Sequence, residues 1–337
     1  MSAADDRPIR MEDVAQRAAV SVMTVSRALR QPDKVAEATR ERIARAMREL
    51  DYVPDAIASS LALRRSRIVA LVVPSVSNPV FADPIQGMAD GLRGRGYHLL
   101  LAGTSAAPED AEALVRTLLG HRPAGFVIHG ANHTEAMRRL LRQAATPVVE
   151  IGSLPRRPID MVVGCSNAAA ARAMTEWLLA RGYRRIGLIS APVRHNDRAA
   201  ERRRGYRAAL RAAGLGPRPE WEIEREHGVD EGAAALAVLL ERRERLDAVF
   251  CAGDVWAIGA LFECRRRGIG VPGDLAVVGF DGQAIGAQTV PALTTVQVHR
   301  YEMGRRAALL LLARLAGEAT GNRRLDLGHE LVIRESA

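Results

Sequence analysis

Polar side chains follow a short apolar segment near the start of the main body of this chain, in a place where a binding site is easily built. Ser75 and Asn78 come directly after the apolar residues 68–73, and Phe81 follows them. Hydroxyl and amide groups can hydrogen-bond the hydroxyls of a small polar ligand, and an aromatic ring can supply an apolar wall. These residue types suit a site for a small ligand that carries hydroxyl groups.

Three carboxylates occupy similar places later in the chain. Asp254 and Asp281 each follow an apolar segment, and Glu150 lies near the end of another, residues 147–151. Ionised carboxylates accept hydrogen bonds from sugar hydroxyls. Asp254 or Asp281 could instead cap the segment that follows, and Glu150 could be a solvated side chain, so both alternatives stay open here.

Motifs of enzymes and metal sites are missing or misplaced. Residues 268–273 spell GxGxxG, but they follow a predicted helix and precede a predicted strand, which reverses the order of a dinucleotide site, and Pro272 would spoil the start of a phosphate-binding helix. The sequence has no HExxH, GxSxG or P-loop motif. Cys165, Cys251 and Cys264 form no CxxC pair and are interpreted as buried, reduced thiols. We therefore predict a non-enzyme without metal or cofactor.

Composition sets the broad class. The chain has 337 residues, 48% hydrophobic and 26% charged, as in a soluble globular protein with two or three structural units. No apolar run approaches the length that spans a membrane, and the N-terminus lacks a signal-peptide core, which favours a cytoplasmic location. The formal charge is +9, and Lys34 is the only lysine. A basic balance permits nucleic-acid binding without proving it.

After residue 66 the pattern is that of an α/β protein. Apolar, β-branched runs alternate with amphipathic helical stretches, which predicts parallel sheets covered by helices on both faces. Two such sets predict two doubly wound lobes, with ligands bound where the strands end, facing the crevice. The predicted strands are residues 68–73, 97–102, 124–129, 147–151, 185–189, 220–225, 247–251 and 275–280.

The first 52 residues have a different pattern. A short tail, residues 1–9, precedes three short predicted helices at residues 11–18, 22–30 and 37–50. Ser21 is a suitable N-cap for the second helix. Val14, Val25 and Leu29 can pack the first two helices together across a short turn. In a helix-turn-helix unit the second helix enters the DNA major groove, and its N-terminal residues meet the base edges.

The segment from Asp13 to Leu29 resembles the helix-turn-helix of the LacI/GalR repressor family, and the resemblance extends over residues 10–336. Blocks such as residues 23–32 and 249–254 are similar to repressors of gluconate-utilisation operons. The resemblance implies a multi-domain protein, with a small all-α helix-turn-helix head and a two-lobed α/β core with parallel sheets, like a periplasmic binding protein.

The domain boundaries follow from the same resemblance. The implied head is residues 10–54, followed by a hinge at 55–66 and the core at 67–337. We predict that the N-terminal lobe contains residues 67–163 and 294–320, and the C-terminal lobe residues 164–293 and 321–334.

DNA contacts are also implied by the resemblance. Arg27 would pair with a guanine and Met23 would contact a thymine methyl group, while Thr24 and Ser26 suit phosphates. Leu61 of the hinge would enter the minor groove as an apolar wedge. A plain helical bundle and a plain linker are the alternatives. The predicted DNA-binding residues are Ser21, Val22, Met23, Thr24, Ser26, Arg27, Ala58 and Leu61.

In the core, the resemblance places Arg202 where the family has an arginine that grips the effector, and a guanidinium is a natural partner for a carboxylate. Its neighbours Arg203 and Arg204 are alternatives. Arg194 or Arg198 could supply the second cation that a sugar phosphate would require. The predicted effector-binding residues are Ser75, Asn78, Phe81, Glu150, Arg202, Asp254 and Asp281.

The sequence thus predicts a cytoplasmic, nucleoid-associated homodimer that represses sugar-acid utilisation genes. Gluconate or a related sugar acid would release it from a palindromic operator. A regulator that responds to another sugar, a sugar phosphate or a corepressor is an alternative. A sugar-binding protein without a DNA role is a second, and a nicotinamide-dependent enzyme is a third.

Overall fold

A computed structural model describes residues 7, 9–53, 66–105, 107–242, 244–319 and 321–337 of the chain. It divides into two compact units, Met1–Ser66 and Arg67–Ala337. The predicted hinge contacts Ala58 and Leu61 lie outside the described residues. In the described ranges, no helix is both long enough and apolar enough to cross a membrane.

The first unit is a bundle of three helices: α1 (Met11–Arg17), α2 (Val22–Arg30) and α3 (Glu37–Glu49). Val14 of α1 and Val25 of α2 are fully buried, and Ile43 of α3 completes their contact. A left-handed residue, Ala19, turns the chain between α1 and α2. The small core holds the two helices of the predicted motif against the third.

The second unit alternates strands and helices along its whole length. Its first half contains β1 (Ile68–Val73), α4 (Ala82–Leu92), β2 (His98–Gly103), α5 (Pro108–Gly120), β3 (Gly125–His129), α6 (Glu135–Gln143), β4 (Val148–Ile151), β5 (Met161–Gly164) and α7 (Asn167–Ala180). Its second half contains β6 (Ile186–Ser190), α8 (Asp197–Ala212), β7 (Glu222–Glu224), α9 (Val229–Leu240), β8 (Ala248–Cys251), α10 (Asp254–Arg266), β9 (Ala276–Asp281), β10 (Thr294–Gln297), α11 (Arg300–Leu315), β11 (Arg324–Asp326) and β12 (Glu330–Val332).

The N-terminal lobe is built on a parallel sheet with the strand order β11-β5-β4-β3-β1-β2. Helices pack on both faces, and for this reason central strands such as β4 and β5 are buried and nearly all apolar. Helices α4 and α11 approach so closely that a Cβ atom on Gly87 would lie 2.0 Å from the carbonyl oxygen of Tyr301. Only glycine fits at that crossing.

The C-terminal lobe has the sheet order β12-β10-β9-β8-β6-β7. Its pairings are parallel except for β10 with β12, which is antiparallel. Buried apolar residues fill both faces, among them Tyr206, Phe250 and Phe280. The two-lobed α/β architecture and the helical head are those that the sequence predicted.

The lobe boundaries differ from the sequence prediction at two places. Residues 294–297, assigned to the N-terminal lobe, form β10 and pair with β9 in the C-terminal lobe. Residues 324–326, assigned to the C-terminal lobe, form β11 and pair with β5 in the N-terminal lobe. The chain crosses between the lobes after β5, after β10 and after β11. Short strands of three or four residues carry too little periodicity to reveal which sheet they join.

Candidate functional site

The second helix of the head presents its N-terminal end to solvent. The side-chain oxygen of Ser21 accepts a hydrogen bond from the backbone amide of Thr24 at 3.1 Å, and the two hydroxyl oxygens lie 2.8 Å apart. This N-cap satisfies one of the amides left free by the first helical turn and fixes where α2 begins. The predicted cap is therefore present in the structure.

Helix α2 has two distinct faces. Val25 is fully buried, whereas Val22, Met23 and Arg27 are exposed, with 69% of Met23 accessible to solvent. Thr24 and Ser26 are half-buried. Two exposed apolar side chains beside an exposed arginine form a surface suited to the edges of DNA bases.

A crevice between the two lobes of the core holds a cavity of about 620 Å³. Strand ends from both sheets meet there, as expected for doubly wound lobes. Ser75 and Phe81, which follow β1, line the side of the cavity formed by the N-terminal lobe. Asn78 lies between them in the sequence, and its side-chain oxygen accepts a hydrogen bond from the backbone amide of Val80 at 3.0 Å. The structure thus brings these predicted residues into one wall.

His129, at the end of β3, adds an aromatic ring to that wall. Its ring meets Phe81 edge-on, with the centroids 4.7 Å apart. Burial lowers the pKa of His129 well below 6.5, and the guanidinium groups of Arg198, Arg202 and Arg300 lower it further. The imidazole is therefore neutral at physiological pH and can exchange hydrogen bonds with hydroxyl groups.

Arg202 and Asp281 line the side of the cavity formed by the C-terminal lobe. The Nε of Arg202 donates to Asn167 at 2.9 Å, Nη1 to the carbonyl oxygen of Ala252 at 2.6 Å and Nη2 to Asp281 at 3.4 Å. The guanidinium also lies over the ring of Phe280, 3.7 Å from its centroid. Burial lowers the pKa of Arg202, while the charge of Asp281 opposes that change.

The backbone at Asp281 is unusual. Its φ is 113°, in a region that side chains rarely adopt. Because Asp281 ends β9 and turns the chain into the crevice, this conformation aims its carboxylate at Arg202. Strained backbone of this kind costs about 1–3 kcal/mol and clusters at functional sites.

The alternative arginines are placed differently from Arg202. Arg203 pairs with Glu224 at 2.9 Å, Arg204 lies 3.4 Å from Glu201, and neither lines the cavity. Among the three consecutive arginines, Arg202 alone is in the cavity wall.

Glu150 and Asp254 do not line the cavity. Glu150 is completely buried and bonds His133 Nε2 at 3.0 Å and the backbone amide of Ile159 at 2.6 Å, so both its oxygens are occupied inside the N-terminal lobe. The expectation that it reaches the crevice is not met, because the strand end turns it to the opposite face.

Asp254 begins α10 rather than ending a strand, and it too is completely buried. It accepts hydrogen bonds from the hydroxyl of Thr295 at 2.5 Å and the backbone amide of Gln283 at 2.6 Å. Burial, aided by the charge of Asp281, raises the pKa of Asp254 to about 7. These contacts are structural, as in the capping alternative that the sequence left open.

Several cavity residues were absent from the predicted set. Trp256 donates from its indole nitrogen to the carbonyl oxygen of Glu226 at 2.9 Å, and His227 meets its ring edge-on. Arg300 enters from the start of α11 and was not identified, because neither β10 nor α11 was predicted as an element. Arg194 and Arg198 also line the cavity. They are the residues predicted from the sequence as the second cation that a sugar phosphate would require.

Asp197 joins the lobes beside the cavity. From the start of α8 it accepts hydrogen bonds from Ser153 Oγ at 2.6 Å and from the backbone amide of Ala131 at 3.0 Å, both in the N-terminal lobe. Burial raises the pKa of Asp197, but Arg198 and these two donors outweigh that effect and leave it lowered. The charged carboxylate therefore favours a closed crevice.

Comparison with known proteins agrees with this architecture. Residues 10–55 match the bacterial regulatory proteins of the lacI family, and residues 175–337 match a periplasmic binding protein-like domain. Over 325 residues the sequence is 36% identical to the HTH-type transcriptional regulator GntR of Escherichia coli strain K12, spanning 96% of this chain and 97% of that protein. The chain belongs to the LacI family.

Solved structures of LacI-family proteins extend the comparison. A LacI-family transcriptional regulator from Silicibacter pomeroyi has a TM-score of 0.91 at 33% identity, covering 98% of this chain and 99% of that one. The lac repressor dimer bound to operator and an anti-inducer has a TM-score of 0.83 at 25% identity, with the same coverage. This LacI-family protein is a DNA-binding transcriptional regulator rather than an enzyme.

Proposed function

We propose that this regulator is a homodimeric repressor, released from a palindromic operator by a sugar acid of the gluconate type bound in the crevice. The observation that carries the effector proposal is the charge of the cavity. Its lining includes four arginines but only two carboxylates, Glu226 and Asp281. Such a wall attracts an anion, and a guanidinium matches a carboxylate in geometry.

The remaining lining supports a polyhydroxy chain attached to that acid group. Ser75, Asn78 and neutral His129 offer hydroxyl, amide and imidazole groups from one lobe. Phe81 and Trp256 provide aromatic surface on which the carbon chain can lie. Aromatic surface combined with polar groups that fix the orientation of the ligand is typical of sites for small molecules. The sequence blocks similar to gluconate-operon repressors favour the same class of effector.

Dimeric DNA binding is supported by the head and by a related structure. The lac repressor of the solved complex binds its operator as a dimer. One head per subunit would let two α2 helices read two half-sites related by two-fold symmetry. The closed-crevice conformation and the DNA-bound conformation are in equilibrium. An effector that binds the closed-crevice conformation more tightly would shift the population of repressor molecules away from the operator-bound state.

Fluorescence anisotropy with the DNA upstream of its own gene tests this proposal. Salt is held fixed because counterion release alone changes affinity by orders of magnitude. We expect tight binding that millimolar gluconate weakens. Tight binding unaffected by gluconate would contradict the effector and retain the repressor, whereas loss of DNA binding on deletion of residues 1–66 with gluconate binding retained would exclude a sugar-binding protein without a DNA role.

Calorimetry with Arg202→Ala tests the carboxylate contact. Loss of a charged hydrogen bond costs about 1.5–3 kcal/mol, or roughly 10- to 150-fold in affinity. Arg203→Ala is the matched control, because Arg203 pairs with Glu224 outside the cavity. Unchanged gluconate affinity in the Arg202 variant would refute the assignment.

A sugar phosphate is the second candidate effector. Arg194 and Arg198 line the same cavity as Arg202, and a phosphate group would use the additional positive charge. Competition between gluconate and its 6-phosphate in calorimetry separates the two: a large preference for the phosphate would select the second candidate.

A further inference from the structure

Buried polar groups without partners are concentrated at the crevice. In the part of the chain that the structure describes, three buried side-chain atoms lack a hydrogen-bond partner: Thr104 Oγ1, His129 Nδ1 and Arg300 Nε. His129 and Arg300 line the main cavity, and Thr104 and His129 line a smaller adjoining cavity of about 80 Å³. Buried polar groups are normally paired, so unpaired atoms on residues that line a cavity indicate where a ligand can supply the partner.

Arg300 is held rigidly at this position. Its Nη1 donates to the carbonyl oxygen of Asp281 in the C-terminal lobe, and its Nη2 lies 3.2 Å from Asp83 in the N-terminal lobe. The Arg300 side chain is only 7% exposed, whereas Asp83 is 58% exposed. The guanidinium therefore bridges the two lobes. Its remaining nitrogen, Nε, has no protein acceptor.

Arg202 differs from Arg300 in this respect. Each of its three nitrogens already has a protein partner within 3.4 Å, and its face is covered by Phe280. Asp281 is shared by the two arginines, with its Oδ1 3.4 Å from Arg202 Nη2 and 3.6 Å from Arg300 Nη1. One internal carboxylate thus serves two cations, and the other carboxylate at Arg300, that of Asp83, is largely exposed to solvent, so the buried wall can still attract an anionic ligand.

We propose that Arg300, with neutral His129 beside it, is a specificity-determining residue that binds the anionic group of the effector. This inference rests on the proposed sugar-acid function and deepens it. Arg300 supplies the unpartnered donor Nε and a positive charge that is offset only by the shared Asp281 and the largely exposed Asp83, while His129 supplies an unpartnered ring nitrogen for the neighbouring hydroxyl of the effector. Arg300 thus adds a second cationic contact to the one proposed for Arg202, on the other side of the shared Asp281.

The test compares a charged and a neutral ligand with the same carbon skeleton. Gluconate and glucitol differ in one group, carboxylate against hydroxymethyl, and both are titrated against the full-length protein, glucitol by competition. We expect Arg300→Gln to weaken gluconate binding at least 10-fold and glucitol binding less than 3-fold. Arg306→Gln is the matched control on the same helix, because Arg306 is half-exposed and lies near Glu302.

A second variant keeps the inference testable if Arg300→Gln does not fold. Asp83→Asn removes the outer counter-ion of Arg300 without touching the cavity wall. We expect gluconate affinity to rise about 3-fold as the guanidinium is less neutralised, with glucitol affinity unchanged. Ligand-free melting temperatures are measured for every variant, so that a general loss of stability is recognised.

The outcomes separate the two proposals. Equal weakening of both ligands, or no change, in the Arg300 variant overturns the role of Arg300 while gluconate remains the effector. If the wild-type protein ignores gluconate but binds another acid from a panel of sugar acids and sugar phosphates, the gluconate proposal fails and Arg300 is tested on that acid in the same way. Binding of no acid at all refutes both.

Discussion

Replacing Asp254 with asparagine should change how the stability of the C-terminal lobe depends on pH. Asp254 is completely buried, and its pKa is raised to about 7 by burial and then by the charge of Asp281. The folded chain therefore holds this proton more tightly than the unfolded chain. Stability from Asp254 is fully present below about pH 4 and is lost as the pH rises through about 7.

The expected magnitude follows from the two pKa values. With about 7 in the folded chain and 3.8 in the unfolded chain, the full effect is about 4 kcal/mol, of which about 2.5 kcal/mol falls between pH 5 and pH 8. Asparagine keeps the size and both contacts, since its oxygen can accept the amide of Gln283 and its NH2 can donate to the hydroxyl of Thr295. It removes only the titration.

Urea unfolding followed by tryptophan fluorescence measures this directly, because Trp177, Trp221 and Trp256 all pack in the C-terminal lobe. Relative to wild type, Asp254→Asn should gain about 2.5 kcal/mol between pH 5 and pH 8. The exposed Asp230→Asn is the control and should show no such gain.

A constant stability difference across that pH range would refute the argument. Because Asp254 lies outside the cavity lining, its asparagine variant should also bind the effector within about 3-fold of wild type, a change of less than 1 kcal/mol. A large loss of effector binding with an unchanged pH dependence would instead restore the role in ligand binding that the sequence suggested.

Three further predictions concern the head, a helix crossing and the contact between the lobes. Ser21→Ala removes the N-cap of α2 and should cost about 1 kcal/mol, seen as a lower melting temperature of the head and weaker operator binding in anisotropy. Gly87→Ala should destabilise the N-terminal lobe by about 1–3 kcal/mol in urea unfolding, whereas Gly120→Ala, with open space around it, should not; equal effects would contradict the close crossing. Asp197→Ala breaks two hydrogen bonds between the lobes and should lower effector affinity about 10-fold in calorimetry, with a more open core in small-angle X-ray scattering; unchanged affinity would show that closure does not depend on this carboxylate.

The sequence predicted the elements with long, strong periodicity and missed those set by tertiary pairing. The three helices of the head and strands such as β1 and β3 agree within two residues, because caps and apolar runs are local signals. Strand β10 contains two threonines, and β11 contains only three residues, so nothing local shows which sheet accepts them. Their assignment to the wrong lobes follows from that.

The same distinction holds for the crevice. Ser75, Asn78, Phe81 and Asp281 could be placed there because strand ends of parallel sheets face a common crevice. Arg202, which lies within helix α8, was placed there only by the resemblance to the LacI/GalR family. Asp254 and Glu150 also lie close to strand ends, but both side chains are buried inside a lobe instead of facing the crevice. For Glu150 in β4, one residue of strand register decides which face the side chain joins, and the sequence does not reveal it. Arg300 depends on a crossing between lobes that no local pattern reveals.

The left-handed backbone at Asp281 has a consequence for how this protein would change under laboratory selection. Glycine adopts a φ of 113° without strain, so Asp281→Gly would relieve backbone strain worth about 1–3 kcal/mol while removing the carboxylate between Arg202 and Arg300. Two buried guanidinium groups would then lack their carboxylate, which costs about 3–5 kcal/mol and exceeds the strain relieved. A selection for heat resistance alone would therefore retain Asp281, and the strained backbone would persist because the carboxylate stabilises more than the strain costs.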